Sequence, residues 1–136
     1  MASPNEDSPH TYQLHLRLAQ PARLVIGRLG TFAFPAGDYV YTGSARHNLE
    51  ARIARHLRRE KTLRWQIDYL LAAPGVSVTR VVRSAIDECT LNQATAGTLP
   101  IPGFGAGDCR QGCGSHLKYQ GRYPGWQEHL HPAAPR

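Results

Sequence analysis

A chain of 136 residues has room for one domain around one modest core, and its 41% hydrophobic and 19% charged composition is that of an ordinary globular protein. No apolar run approaches the length that spans a bilayer, which excludes an integral helical membrane protein. The formal net charge of +6 favours an acidic partner such as nucleic acid.

Residues 1–10 are polar and acidic rather than basic then apolar, so they read as a disordered lead-in and not as a secretory signal. Three cysteines, with no pattern of an exported disulfide scaffold, make a reducing cytoplasm the expected compartment. From Thr11 to Leu18 the chain alternates: Tyr12, Leu14, Leu16 and Leu18 point one way, and Thr11, Gln13, His15 and Arg17 the other. That is the pattern of a half-buried strand. Pro21 ends it, and Arg23 to Arg28 and Gly30 to Phe34 are further short strands punctuated by glycine. Pro35-Ala36-Gly37 turns the chain into a strand over Tyr39 to Thr42, so the first forty-odd residues are expected to form an antiparallel meander.

That strand stops at Gly43-Ser44, and Asn48 is placed to cap a helix running to Arg59. Within it Leu49, Ile53 and Leu57 recur at four-residue spacing and are expected to face the core, while Arg52, His56 and Arg59 share a neighbouring face. Guanidinium and imidazole groups on one stripe suit phosphate oxygens, or form a solvated cationic face. Lys61 to Ala73 reads as a second helix stopped by Pro74-Gly75, with Leu63, Ile67, Leu70 and Leu71 buried. Val76 to Arg83 is a strand, and Ala85 to Ala96 a short helix closed by Gly97. The glycine- and proline-rich stretch from Leu99 to Ser115 is too long for a bare connector, Leu117 to Tyr119 is a last strand, and residues 120–136 form a tail.

Tyr41-Thr42-Gly43, followed by Arg52 and His56 on the next helix, resembles the second tripeptide and helix of the GIY-YIG nuclease superfamily, in a branch of small stand-alone domains. The resemblance runs from about Thr11 to Tyr119 and takes in Trp65-Gln66-Ile67-Asp68-Tyr69-Leu70, Gly103 to Cys109 and Ser115-His116-Leu117. It implies an α/β (α+β) fold with a small central antiparallel sheet flanked by helices, over residues 11–119. It implies two strand tyrosines at one site, Tyr12 and Tyr41, although the first tripeptide here reads His10-Thr11-Tyr12. It places Glu88 as the metal carboxylate, with Asp87 as its rival on physical grounds, and magnesium (or manganese) as the ion.

The activity so implied is metal-dependent hydrolysis of DNA, single-stranded or duplex. Tyr12 or Tyr41, helped by His56, would take a proton from water, Arg52 would stabilise phosphate charge, and Glu88 would hold the metal. A free phenol has a pKa of about 10, so such a tyrosine needs a nearby cation. Ser44, Arg46, Arg55, Arg58, Arg59, Lys61, Arg64 and His116 are expected along the nucleic acid, with Asn92 a lesser candidate. Asp68 would orient His56 or Arg52, or pair with an arginine. Cys109, Cys113 and His116 form a C-x3-C-x2-H run that suits either a structural zinc or buried thiols beside a loop histidine. Two other readings therefore stand beside the nuclease: a non-catalytic nucleic-acid-binding module on the same fold, and a zinc-stabilised interaction domain.

Overall fold

A computed structural model describes residues 8–105 and 112–123, and among these described residues six strands and three α-helices follow one another. Strand β1 spans Thr11–Leu18, β2 Ala22–Ile26, β3 Gly30–Phe34 and β4 Gly37–Ser44. Helices α1 (Leu49–Leu57) and α2 (Gln66–Leu71) come next, then β5 (Val76–Ser84), α3 (Glu88–Ala94) and β6 (Leu117–Gly121). The fold is α+β: a four-stranded antiparallel sheet in the order β5-β1-β4-β6, a separate two-stranded sheet of β2 and β3, and flanking helices. Most of the expected lead-in (residues 1–7) and tail (residues 124–136) lies outside the described residues.

The expected meander is not what forms. Strand β1 pairs with β4 and β5, not with β2, and β2–β3 folds as a hairpin of its own. Alternation says which face of a strand is apolar but not which strand lies beside it. Here Gly27 and Gly30, with φ of 49° and 130°, turn β2 back onto β3 and leave both edges of β1 for longer partners. Gly27 also ends β2 at Ile26, short of the expected Arg28. Because β1 is central it is not half-buried at its start: Thr11 and Gln13 are buried on the second face, and Gln13 donates to Thr42 and Thr95 Oγ1.

Helix α1 presents a different face from the one expected. Ile53 is buried and Leu49 packs at the core margin, but Leu57 is 49% exposed and His56 is 2% exposed. At about 100° per residue, Leu57 lies roughly 40° beyond Ile53 on one side, while His56 lies roughly 60° back toward Leu49. The inward face passes through Leu49, Ile53 and His56. Asn48 sits in the left-handed region (φ 58°) and its side chain makes no capping bond, against expectation.

Helix α2 starts at Gln66 rather than Lys61, and Leu63 is 40% exposed rather than buried. Its start is set by Asp68, whose carboxylate accepts from the backbone N–H of Arg64 and Trp65. Helix α3 is likewise shorter than expected: Asp87 is its N-cap, accepting from the Thr90 backbone N–H at 3.0 Å. Tyr12, Leu14, Leu16 and Leu18 of β1 meet Ile53, Ile67, Leu70, Ile101 and Phe104 in one core. The loop that carries Ile101 and Phe104 is therefore packed structure, at least to Gly105.

Candidate functional site

The site is built at the Thr11–Ser44 end of β1 and β4. Antiparallel register sets Tyr12 opposite Gly43 and Leu14 opposite Tyr41, so the two tyrosines are diagonal neighbours on one face. Their ring centroids are 6.4 Å apart. A Cβ on Gly43 would lie 2.6 Å from the Tyr12 hydroxyl, which is why glycine follows Tyr41-Thr42: it leaves space for the neighbouring phenol.

His56 completes the cluster from α1. Its Nε2 lies 2.6 Å from Tyr12 Oη, and its ring centroid lies 6.2 Å from that of Tyr41. Burial, together with the cations Lys61, Arg55 and Arg52, pushes the imidazole down to about 4 despite the attraction of Asp68, so it is neutral at physiological pH. Burial pushes the Tyr12 phenol up to about 12, against the pull of the Arg52 guanidinium. Tyr41 is driven further above the ordinary phenol range by burial, with Tyr12 and the Glu88 charge adding to it. Both phenols hold their protons, and Tyr12 has a neutral imidazole against its oxygen.

Glu88 reaches the site from the first turn of α3. Ser44 Oγ donates to its Oε1 at 2.8 Å, and His116 Nδ1 lies 2.6 Å from its Oε2. Burial acts to raise its pKa, but the hydrogen bonds from His116 and Ser44 outweigh burial and hold it below the ordinary carboxylate value. Arg52 closes the ring: Nη1 donates to the Ser44 carbonyl at 3.2 Å while the guanidinium lies 4.6 Å from the Trp65 ring centroid. Ser44 thus links the cation of α1 to the carboxylate of α3. Tyr12, Tyr41, Arg52, His56 and Glu88 come together, as do Ser44 and His116.

Residues 11–134 match the family described as a domain of unknown function, DUF123. The chain belongs to that family. No curated protein and no solved structure matches it.

Other candidate residues of this DUF123 domain are placed differently from what their charge suggests. Arg55 makes a bidentate pair with Asp68, both contacts at 2.9 Å, and also donates to the Thr62 carbonyl. Lys61 Nζ donates to the carbonyls of Arg55, His56 and Arg58 and caps the C-terminus of α1. Neither presents a free cation to a phosphate backbone. Arg46, Arg58, Arg59 and Arg64 are exposed, and Arg64 lies 5.6 Å from the Trp65 ring centroid. Asn92 is buried, donating to the Ser115 carbonyl and pinning the segment that carries His116 just before β6. Asp68 serves α2 and Arg55, so the arginine-pairing alternative is the one that forms.

Cys109 lies outside the described residues. Cys89, by contrast, joins Cys113 and His116, with one donor atom from each within 4.8 Å of the others. Local spacing could not have found it, because Cys89 is separated from His116 by 27 residues and meets it only through the packing of α3 on β4. Trp65, the platform beneath Arg52 and Arg55, was equally invisible as a site residue. Among the described residues no helix is long and apolar enough to cross a membrane.

Proposed function

We propose that this DUF123 domain is a metal-dependent endonuclease that hydrolyses DNA phosphodiester bonds, as the GIY-YIG nucleases it resembles do. The observation that carries the reading is the convergence of Tyr12, His56, Arg52 and Glu88, from a strand and two helices far apart in sequence, beside Tyr41 at one end of the sheet. A half-exposed cation, an ionised carboxylate and a phenol hydrogen-bonded to a neutral imidazole are the groups that phosphodiester hydrolysis needs.

Glu88 suits a single magnesium or manganese ion. Its side chain is 26% exposed, and after accepting from Ser44 and His116 its oxygens keep lone pairs for a hard cation. Such an ion supplies Lewis-acid neutralisation of phosphate and leaving-oxygen charge. Arg52, braced on Trp65, offers its guanidinium to a phosphate oxygen. Tyr12 is the better proton acceptor of the two tyrosines, because the proton it takes from water can replace the one it passes to His56 Nε2. The exposed Arg46, Arg58, Arg59 and Arg64 add backbone affinity that weakens as salt rises.

The test is cleavage of labelled single-stranded and duplex DNA with magnesium, manganese or EDTA. Metal-dependent cutting is expected, with Arg52→Ala slower by about a hundredfold or more. Salt-sensitive binding without cutting under any metal would replace the enzyme by a non-catalytic nucleic-acid-binding module. The proton path carries its own prediction. Neutral phenol and neutral imidazole coexist between the His56 value of about 4 and the Tyr12 value of about 12. The cleavage rate should therefore be flat across neutral pH and fall on acidification toward pH 4 as His56 takes up a proton. A tenfold rise per pH unit above neutrality would mean instead that preformed phenolate is the base.

A further inference from the structure

Cys89, Cys113 and His116 belong neither to the proton path nor to the phosphate-facing cations, and we infer that they bind a zinc ion whose histidine ligand is oriented by Glu88. The Cys89 thiol sulfur lies 3.9 Å from His116 Nε2, and one donor atom from each of the three residues falls within 4.8 Å of the others. A tetrahedral zinc, with bonds of about 2.3 Å to sulfur and about 2.0 Å to nitrogen, holds such atoms roughly 3.5–3.8 Å apart. Closing the set onto a metal shortens each of these distances by about 1.3 Å at most.

The orientation of His116 is the second argument. Its Nδ1 faces Glu88 Oε2 at 2.6 Å, and a carboxylate oxygen at that distance accepts a ring N–H rather than meeting a second lone pair. Nδ1 therefore carries the hydrogen, which leaves Nε2 with its lone pair directed at the cysteine side. This is the carboxylate–histidine–metal arrangement, in which the outer carboxylate fixes the tautomer and raises ligand basicity. The surroundings suit thiolate as well: Gln93 Nε2 donates to Cys113 Sγ at 3.4 Å.

Charge balance favours zinc over a harder ion. Cys89 is 8% exposed and His116 2% exposed, so a bare dication there would be costly. Two thiols that lose their protons to solvent become thiolates, and two thiolates with one Zn2+ are neutral. Soft sulfur donors also select against magnesium, which separates this site from the one proposed at the exposed side of Glu88. The inference does not rest on the nuclease reading. Glu88 connects the two sites through His116, so zinc would help to hold the carboxylate in place.

The experiment counts metal, not cleavage. The full chain, purified under reducing conditions without chelator, is expected to carry one zinc per molecule by elemental analysis. Stripped protein titrated with Co2+ should develop thiolate-to-cobalt charge-transfer absorption that saturates at one equivalent. Cys89→Ser and Cys113→Ser should each lose that absorption, and Glu88→Gln should keep it with affinity weakened about 10–100-fold. If stripping unfolds the chain, recovery of its circular dichroism with one equivalent of zinc supports the site. A folded chain that binds neither zinc nor cobalt overturns it, as does charge-transfer absorption retained in both cysteine variants. Two thiols that reappear with reductant rather than with chelator would put a disulfide in place of the metal and also overturn it.

Discussion

Glu88→Gln is expected to lower metal-dependent DNA cleavage by about a thousandfold while leaving the fold intact. Gln keeps an oxygen for the Ser44 hydroxyl, so the packing of α3 against the end of β4 is retained. What it loses is the negative charge that His116 and Ser44 hold ionised, and with it the affinity for a divalent ion. Because the carboxylate sits below its ordinary value, it is fully charged throughout the neutral range, and raising the pH adds nothing to it. Cleavage measured against magnesium concentration, beside the thermal midpoint, separates the effects. Activity within tenfold of the natural protein at saturating magnesium would remove Glu88 from the metal site.

Asp68→Ala is the substitution expected to cost most stability, about 3–5 kcal/mol. The Asp68 side chain is fully buried and that of Arg55 is 15% exposed, so truncation leaves a guanidinium shielded from water without its partner. It also frees the backbone N–H groups of Arg64 and Trp65 at the start of α2. A fall of the thermal midpoint on the order of 10–20 °C follows for a chain of this size. A loss under about 1 kcal/mol by denaturant titration would show that water replaces the carboxylate.

The same ion pair sets part of the acid limit. Burial tends to raise the Asp68 pKa, but the hydrogen bonds from Arg55 and from the Trp65 and Arg64 backbone win and depress it. The unfolded chain therefore binds the proton first. Its contribution is complete above the ordinary value of 3.8 and disappears as the pH falls through the lower folded value. His56 acts with the same sign over a higher window: the unfolded imidazole protonates below 6.5, whereas the folded one resists until about 4. Stability should thus begin to fall below about pH 6.5, before any carboxylate is involved.

Much of the architecture was legible in the chain because it is written in short-range pattern. The alternation over Thr11–Leu18, the β-branched runs ending at Ser44 and Arg83, and the proline and glycine stops located the three longer strands and helix α1. The cysteine at position 89 illustrates the limit. It carries no periodic or spacing signal toward Cys113, and only the packing of α3 on β4 brings the two together.

What the amino-acid sequence determined by itself was therefore local: which segments extend, which coil, and which residue types suit phosphate and metal. It did so because propensity and periodicity act within a few residues. The tertiary structure alone decided that β1 lies between β4 and β5, that His56 rather than Leu57 faces inward, and that Arg55 and Lys61 spend their charge on Asp68 and on helix carbonyls. Each of these depends on long-range strand choice and on competition for buried partners. Such choices are settled by the core as a whole, in which every buried polar group must find a specific neighbour.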